Sequence, residues 1–304
     1  MNMERIFKFE SKQDGLELEG IYMEPENKKK AIIQIVHGMA EHKERYLPFM
    51  RYLCNQGYVV VIHDHRGHGQ SIKHTDDLGY FYDETGTYIY LDAHDIGMKF
   101  KKEYNLPLYL MGHSMGSLVV REVCKYFDKD IDKLIVCGSP SKNDAIESAI
   151  TLTKFLMKLQ GKKHRSSLIQ HIAFSSYSKR FNDSLENTWL SENKENVYTY
   201  NEDPLCGFTF TLNGFLNLFS LMNDVYNASQ WKCDHKELPI LFIAGEKDPC
   251  IDTKEKWIEA QNFLKQLGYQ SIQNHLYENM RHEILNEKEH EIVYKDILDF
   301  LESE

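Results

Sequence analysis

The stretch LYLMGHSMGSLVV (Leu108–Val120) joins a strand-like apolar run, a glycine-bounded turn and the start of a helix-like run. In its centre, Ser114 stands between Gly112 and Gly116, and small glycines let the backbone turn sharply from a strand into a helix. Such a turn exposes the serine hydroxyl above the amide groups of the helix N-terminus. The stretch therefore predicts an α/β sheet with Ser114 at the turn after one of its strands. Because a serine hydroxyl is nearly inert without a base, Ser114 can act as a nucleophile only if other residues activate it.

Four further apolar runs resemble the strand before Ser114, and they are AIIQIV (31–36), GYVVVIHD (57–64), KLIVCGS (133–139) and LPILFIAG (238–245). Uninterrupted β-branched runs are typical of parallel strands buried on both faces. Helix-like stretches separate the first four strands, so the pattern predicts an α/β fold with a mostly parallel central sheet flanked by helices. Two opening segments, 5–11 and 16–24, alternate apolar and polar residues like half-exposed edge strands.

The alternation of strands and helices stops between about Ser139 and Glu237. Residues 140–236 instead show helical periodicity and predict a helical cap inserted into a core formed by 1–139 and 237–304. Long insertions at the carboxyl edge of such a sheet usually shape a binding site. We expect the cap to contribute to the substrate pocket, with candidate residues Phe155, Phe215 and Phe219. The alternative is that these aromatic side chains form the hydrophobic core of the cap itself.

The acid and the base should follow later strands. Asp248 lies in a Gly/Pro-punctuated loop directly after the strand that ends at Gly245, whereas Asp252 precedes a helix-like run and suits a helix cap. His282 lies in the loop after the last strand. By contrast, His275 lies within a strand-like run and His290 in a charged run, as surface residues do. The order Ser114, Asp248, His282 therefore predicts a catalytic triad.

Backbone amides complete the predicted site. An oxyanion needs two N–H groups aimed at its developing charge, and one should come from Met115, the residue after the nucleophile. The other should come from the loop HGMAEH (37–42), where Gly38 frees the backbone and Met39 is the predicted donor. The alternative for this loop is an ordinary turn at the end of a strand.

A histidine-rich segment, HDHRGHG (63–69), raises the question of a metal site. Metal hydrolases cluster His and Asp after a strand, and His63, Asp64, His65 and His68 are so placed. However, the segment lacks a second acid near His68, and no distant set of ligands accompanies it. Hydrogen bonds that stabilise the loop explain the segment better, so the sequence predicts no metal.

Composition limits the range of functions. The chain has 304 residues and a net charge of −10, which argues against nucleic-acid binding and disfavours strong attachment to anionic lipid. No apolar run approaches the roughly eighteen residues that a membrane span needs, and the N-terminal residues lack the apolar region of a secretory signal. The six cysteines have no C-x-x-C spacing and suit free thiols in a reducing compartment, so we expect a cytoplasmic protein.

These motifs resemble a known family, and they are HGMAEH, DHRGHGQS, GHSMGS, GEKDPCID and MRHEILNE. The chain is similar to the α/β-hydrolase subgroup of monoacylglycerol lipases and lysophospholipases, from about Phe7 to Phe300. Within the predicted insertion, NEDPLCGF (201–208) resembles the lysophospholipase-like bacterial members. The usual family loop reads HGxGEH, whereas this chain has Ala40 at the second glycine.

The resemblance implies an α/β-hydrolase fold and a serine esterase that needs no cofactor. It assigns the nucleophile to Ser114, the acid to Asp248, the base to His282 and the oxyanion donors to Met39 and Met115. It implies a small-molecule or lipid ester as substrate, and the Phe-, Leu- and Met-rich stripes of the insertion favour medium- or long-chain monoacyl esters. Transient contact with a lipid surface is compatible with this reading, whereas an integral membrane segment is not expected. The sequence leaves the oligomeric state open.

Two other functions compete with the esterase. An aminopeptidase or amidase of the same fold would need cap carboxylates to hold a substrate ammonium, and Glu186, Glu192 and Glu202 are available. A protein that only binds a small ligand would not need the triad. Epoxide hydrolase or dehalogenase chemistry would need an aspartate in place of Ser114.

Overall fold

The computed structural model describes residues 3–181 and 183–303, and its strands form one eight-stranded sheet within them. The strands are β1 (Arg5–Glu10), β2 (Glu17–Met23), β3 (Ile32–Val36), β4 (Val59–His63), β5 (Leu108–His113), β6 (Lys133–Cys137), β7 (Ile240–Gly245) and β8 (Ile272–Tyr277). Their order is β1-β2-β4-β3-β5-β6-β7-β8. β1 and β2 pair antiparallel with their neighbours, and the other strands pair parallel. The predicted mostly parallel sheet is confirmed.

Helices cover both faces of the sheet. Those of the described residues are α1 (Leu47–Asn55), α2 (Tyr88–Tyr104), α3 (Met115–Phe127), α4 (Ile146–Gln160), α5 (Ser167–Lys179), α6 (Lys194–Glu202), α7 (Leu212–Asp224), α8 (Lys254–Leu267) and α9 (His290–Glu302). Successive strand residues point to opposite faces, so Ile33 and Ile35 pack with α1 and α9, whereas Ile32 and Val36 pack on the side of α2, α3 and α8. This two-sided burial explains the uninterrupted apolar strands.

The segment between β6 and β7 contains α4 to α7 and no strand among its described residues. α7 packs against both α4 and α3, and its residues Phe215 and Leu218 belong to the same hydrophobic cluster as Val119 of α3. Thr211 begins α7 by accepting a hydrogen bond from the Gly214 amide, which satisfies a free N–H of the first turn. The helical character of the segment is as predicted, and its division from the core as a separate cap remains a prediction.

Strand order places the functional loops. β3 lies between β4 and β5, so the chain leaves β3 toward one side of the sheet and later returns on the other. At such a switch point, an open α/β sheet has a crevice at the carboxyl ends of its strands. Val36 at the end of β3 is paired with Gly112 of β5, so the loop 37–42 and the turn at Ser114 emerge side by side. β7 and β8 bring Asp248 and His282 to the same edge.

Two further features concern membrane-spanning helices and the cysteines. Among the described residues, no helix combines the length and apolar character needed to cross a bilayer. All six cysteines are buried and carry free thiols, as the sequence predicted.

Candidate active site

The turn at Ser114 has the backbone geometry of a nucleophile elbow. Ser114 adopts φ 54° and ψ −121°, a backbone conformation that residues other than glycine rarely adopt. A Cβ at Gly112 would lie 2.2 Å from the Gly116 carbonyl oxygen, and one at Gly116 would lie 2.0 Å from that of Val36. The Ser114 amide donates to the Cys137 carbonyl at 2.9 Å. Both glycines are therefore required by close packing, and the strained serine faces the cavity.

The predicted base and acid form a buried hydrogen-bonded pair. His282 Nδ1 and Asp248 Oδ2 are 2.9 Å apart, and each residue is 2% exposed. The other carboxylate oxygen of Asp248 accepts the Cys250 amide at 2.8 Å, which fixes its orientation. A proton on Nδ1 of His282 leaves Nε2 free to accept another, and Nε2 lies 3.9 Å from Cys250 Sγ. His282, Cys250 and Ser114 line one cavity.

The competing residues lie elsewhere. Asp252 forms an ion pair with Lys256 at 2.7 Å, and the capping role expected for it belongs to Thr253, whose side chain accepts the Lys256 amide. The difference arises because Asp252 adopts φ 59°, outside the extended backbone typical of an N-cap. His275 is exposed on β8, and His290 bonds the Glu287 carbonyl at the start of α9. Neither histidine lines the cavity.

The predicted oxyanion donors flank Ser114. Met39 and Met115 both line the cavity, and neither amide donates to an acceptor among the described residues. Gly38 lets the loop approach closely, since a Cβ there would lie 2.7 Å from Glu41 Oε1 and 3.1 Å from Ser114 Cβ. Its amide donates to that Glu41 oxygen at 2.6 Å.

Ala40 is the point at which this loop departs from the family pattern. It adopts φ 51°, a left-handed conformation that glycine accepts without strain. Its amide donates to His68 Nε2 at 3.2 Å. Its carbonyl accepts from the Gly207 amide at 2.9 Å and the Tyr200 hydroxyl at 3.0 Å. Contacts on both sides thus hold the strained alanine in place and tie the loop to residues 200–207.

A buried charge network lies beside the pair. Arg45 Nη1 and Nη2 donate to the two carboxylate oxygens of Glu283 at 2.6 and 2.7 Å, and Nη1 also donates to Glu41 at 2.7 Å. Burial alone would raise the pKa of Glu283, but Arg45 lowers it below its usual value. The network therefore joins the loop before Arg45 to the residue after His282.

His113, between Gly112 and Ser114, packs against the predicted base. Its ring centroid lies 4.6 Å from that of His282, and Nε2 lies 3.2 Å from the His282 carbonyl oxygen. Nδ1 lies 3.1 Å from the Tyr46 hydroxyl and 3.4 Å from Glu41. Burial by itself would lower the pKa of His113, but Glu41 outweighs it and raises that pKa. His113 therefore packs against His282, while Tyr46 and Glu41 contact its other ring nitrogen.

The cavity has a volume of about 370 Å³ and a mainly apolar wall. Phe219 lines it together with Leu152, Ile172, Phe174 and Met222. The other two aromatic candidates for the substrate pocket do not line it. Phe155 is 57% exposed on the outer face of α4, and Phe215 is 0% exposed in the packing between helices. Helical periodicity identifies a stripe of side chains, but which neighbour each one meets depends on how the helices pack.

The histidine-rich segment supports the loop. The His65 amide donates to His37 Nε2 at 3.0 Å, and His65 Nε2 lies 3.1 Å from the His37 carbonyl oxygen. Asp64 accepts from the backbone amide and the ammonium of Lys43 at 2.9 and 2.7 Å. Burial lowers the pKa of His63 to about 3 and that of His68 to about 4. The loop-stabilising interpretation fits these contacts.

Several residues around the site escaped the sequence analysis. Trp189 and Tyr177 line the cavity from the segment between β6 and β7, and Glu41, Arg45 and Glu283 form the charge network. The four-residue spacing of Glu41 and Arg45 and the position of Glu283 after His282 were visible signals. Nothing local marks Trp189, because its partner lies 93 residues away in the sequence.

Comparison with known families decides the affiliation. The model of the family described as serine aminopeptidase, S33, matches residues 27–289. The chain belongs to this family. Among curated members, it is 29% identical over 262 residues to mouse monoglyceride lipase, covering 83% of this chain and 77% of that protein. It is 22% identical over 282 residues to the monoacylglycerol lipase of Mycolicibacterium smegmatis, covering 92% and 90%.

Solved structures of related hydrolases share the fold. A thermostable carboxyl esterase from Bacillus coagulans, in complex with glycerol, superposes with a TM-score of 0.90 at 24% identity and covers 99% of this chain and 98% of that one. Monoglyceride lipase from Saccharomyces cerevisiae gives 0.75 at 17% identity, covering 99% and 95%. The predicted α/β-hydrolase fold and the resemblance to the monoacylglycerol lipase subgroup are confirmed.

Proposed function

We propose that this serine hydrolase cleaves carboxylic esters through an acyl-enzyme and that monoacyl lipid esters are its substrate class. The observation that carries the proposal is the buried pair of His282 and Asp248, which opens with Ser114 onto one apolar cavity. Relatives named monoglyceride lipase and monoacylglycerol lipase support the same substrate class.

The mechanism follows from the hydrogen-bond partners of His282. Ser114 Oγ attacks the acyl carbonyl while His282 Nε2 takes its proton, and Asp248 stabilises the resulting imidazolium. The amides of Met39 and Met115 donate to the oxyanion of the tetrahedral intermediate. His282 then gives the proton to the leaving alcohol, and an acyl-enzyme remains on Ser114. Water attacks that ester in a second round, which releases the fatty acid and restores the hydroxyl.

The cavity wall favours an acyl chain. Leu152, Phe174, Phe219 and Met222 line one side, and burying methylene groups against such residues contributes about 0.8 kcal/mol each. Polar side chains line the cavity both from the loops that carry the proposed triad and oxyanion donors and from the segment between β6 and β7, where they include Asn143, Ser148 and Gln170. We therefore place the ester at Ser114 and its acyl chain among the residues of α4, α5 and α7.

The same lining disfavours an aminopeptidase. Glu186, Glu192 and Glu202, the carboxylates that could hold a substrate ammonium, are exposed and do not line the cavity. Glu41 and Glu283 do line it, but both are paired with Arg45. Among the described residues, the cavity wall therefore offers no carboxylate free of a cationic partner. Although the family description names aminopeptidases, the wall fits an uncharged substrate.

The outer surface beside the cavity carries exposed apolar side chains, which matter if the substrate is a lipid. Phe155 and Leu159 on α4, and Leu168 and Ile172 on α5, are large apolar side chains that are more than half exposed. Ile172 also lines the cavity, so this patch adjoins the site. We infer transient contact of this patch with the surface of a lipid aggregate.

The double variant Phe155→Ser/Leu159→Ser should lose co-sedimentation with phosphatidylcholine vesicles while hydrolysing a soluble short-chain ester normally. Unchanged co-sedimentation would contradict the contact.

The function is tested with a substrate panel. Purified wild-type protein and Ser114→Ala are assayed with a monoacylglycerol, a lysophosphatidylcholine, a short acyl ester and an aminoacyl amide. We expect the monoacyl esters to be cleaved best and the alanine variant to lose at least about a thousandfold in rate. Thermal unfolding of both proteins checks that the fold is kept. Unchanged hydrolysis by Ser114→Ala, or preference for the amide, would overturn the proposal.

A further inference from the structure

A tryptophan outside the predicted triad lies against the proposed base. The rings of Trp189 and His282 have centroids 5.1 Å apart and are inclined by 41°. Trp189 lies in the 3-10 turn Thr188–Leu190, between α5 and α6, and lines the same cavity as Ser114. The indole is the aromatic ring that attracts a cation most strongly, and the attraction acts within about 6 Å of its centroid.

Both neighbours of His282 hold this turn in place. The Arg281 guanidinium donates to the Thr188 carbonyl and, at 2.8 Å, to the Thr188 hydroxyl. The Glu283 amide donates to the Leu190 carbonyl at 2.7 Å. Tyr177 also packs against Trp189 in an edge-type arrangement, with ring centroids 5.2 Å apart. The indole is thus fixed relative to the imidazole by the same three-residue loop that carries the imidazole.

We propose that Trp189 is a catalytic residue whose ring stabilises the imidazolium form of His282 during ester hydrolysis. The proposal rests on the proposed function, since during hydrolysis His282 takes the Ser114 proton and becomes charged. An interaction that is stronger with the charged ring than with the neutral one stabilises the transition state more than the ground state. The interaction therefore raises kcat rather than the affinity for the substrate.

Other groups also face His282. Asp248 accepts from Nδ1, Cys250 Sγ lies 3.9 Å from Nε2, and His113 packs on the ring with Glu41 behind it. Nearby lie Ser114 of the elbow, Tyr177 next to Cys250, and Glu283 with its partner Arg45. Glu41 raises the pKa of His113, and a positive charge on that ring would disfavour a second cation nearby. The neighbouring indole offsets that repulsion without adding a charge that would hold the base protonated at rest.

The test compares Trp189→Phe and Trp189→Leu with Phe219→Leu, a matched loss of an aromatic ring from the same cavity wall. The ring attraction predicts a fall in kcat of roughly threefold to thirtyfold for Trp189→Leu, and a smaller fall for Trp189→Phe. It also predicts that the acid limb of the pH–rate profile moves to lower pH in the same order, because the imidazolium loses a stabilising partner. Phe219→Leu should raise KM and leave the acid limb in place.

A second measurement does not need activity. Protonation of an adjacent imidazole quenches indole fluorescence, so the difference in emission between wild type and Trp189→Phe should fall as the pH is lowered. In a His282→Gln background, this pH dependence should disappear. An acid limb that stays fixed in all Trp189 variants, or a difference emission that does not titrate, would overturn the role of Trp189. By contrast, persistent hydrolysis by Ser114→Ala would overturn the proposed function, with the fluorescence titration still reporting the contact.

Discussion

Two sides of the cavity differ in the side chains that line them and in the contacts that hold those side chains. The floor consists of the loops after β3, β5, β7 and β8, namely residues 37–46, 113–115, 246–252 and 278–283, and the roof is the segment 140–236. Most floor side chains that line the cavity are polar or charged and are held by hydrogen bonds, such as the 2.9 Å contact between His282 and Asp248. Roof side chains that line the cavity are mostly apolar, and others on the same helices are exposed.

The difference separates chemistry from substrate choice. A floor residue must meet its partner within a few tenths of an ångström, so its position is fixed by directional bonds and by glycines that allow close approach. A roof residue needs only apolar contact, which many arrangements of helices satisfy. Trp189 is an exception, because it belongs to the roof and is bonded to the floor through its neighbours. Variants of both sides can test this division.

The largest effect is expected on the floor. Asp248→Asn keeps the shape of the side chain but removes the charge that stabilises the His282 imidazolium, so kcat should fall about 10⁴-fold. Asp252→Asn is the matched control, because that carboxylate pairs with Lys256 outside the cavity. It should retain nearly full activity. Equal losses in the two variants, measured by steady-state kinetics with a short acyl ester, would remove Asp248 from the triad.

The charge network of the floor should dominate stability. Arg45→Met leaves the buried Glu41 and Glu283 without their cationic partner, so the free energy of unfolding should fall by about 3–5 kcal/mol. Arg51, whose side chain is half exposed and pairs with Glu4, provides the control. Arg51→Met should cost less than about 1 kcal/mol. Urea unfolding measures the free energy of unfolding of both variants. Similar losses would show that the buried network contributes no more to stability than an exposed ion pair.

Acid should destabilise the protein through the neutral histidines of the segment 63–69, which supports the floor loop 37–42. The folded pKa values of His63 and His68, about 3 and 4, lie below the value of about 6.5 for an unfolded histidine. The unfolded chain therefore binds more protons below pH 6.5, and stability is lost as the pH falls from there toward the folded values. Each histidine contributes up to about 1.4 kcal/mol per pH unit in this window.

Urea unfolding between pH 6.5 and 4.5 measures this loss. His63→Leu should reduce the slope of stability against pH, because both ring nitrogens of His63 are buried without a hydrogen-bond partner among the described residues. A slope that is the same in wild type and variant would assign the acid sensitivity to other groups.

The smallest effects are expected in the roof. Phe219→Ala removes a ring from the cavity wall and should raise KM for a medium-chain monoacylglycerol about tenfold, with kcat little changed. Phe155→Ala alters an exposed ring on α4 and should leave KM for a soluble ester within about twofold. Steady-state kinetics with monomeric substrate separates the two. A larger effect at Phe155 would contradict the lining seen in the structure.

Sequence alone predicted the architecture because its signals are local. β-branched runs marked β3 to β7, and the strand–turn–helix pattern around Ser114 marked the elbow. The order of motifs then indicated which loops share an edge, since parallel strands end on the same side of a sheet. The lining of the cavity was less accessible: of three aromatic candidates, only Phe219 proved to face it. Periodicity gives the face of a helix but not what that face meets.

The sequence by itself determined the order of strands and helices and the candidates Ser114, Asp248 and His282, because glycine-bounded turns and apolar runs constrain neighbouring residues. Only the tertiary structure decided what surrounds them. Arg45 bridges two carboxylates 242 residues apart, and Trp189 meets His282 across 93 residues. Such contacts depend on how separately formed elements pack against one another, and no local pattern encodes that geometry.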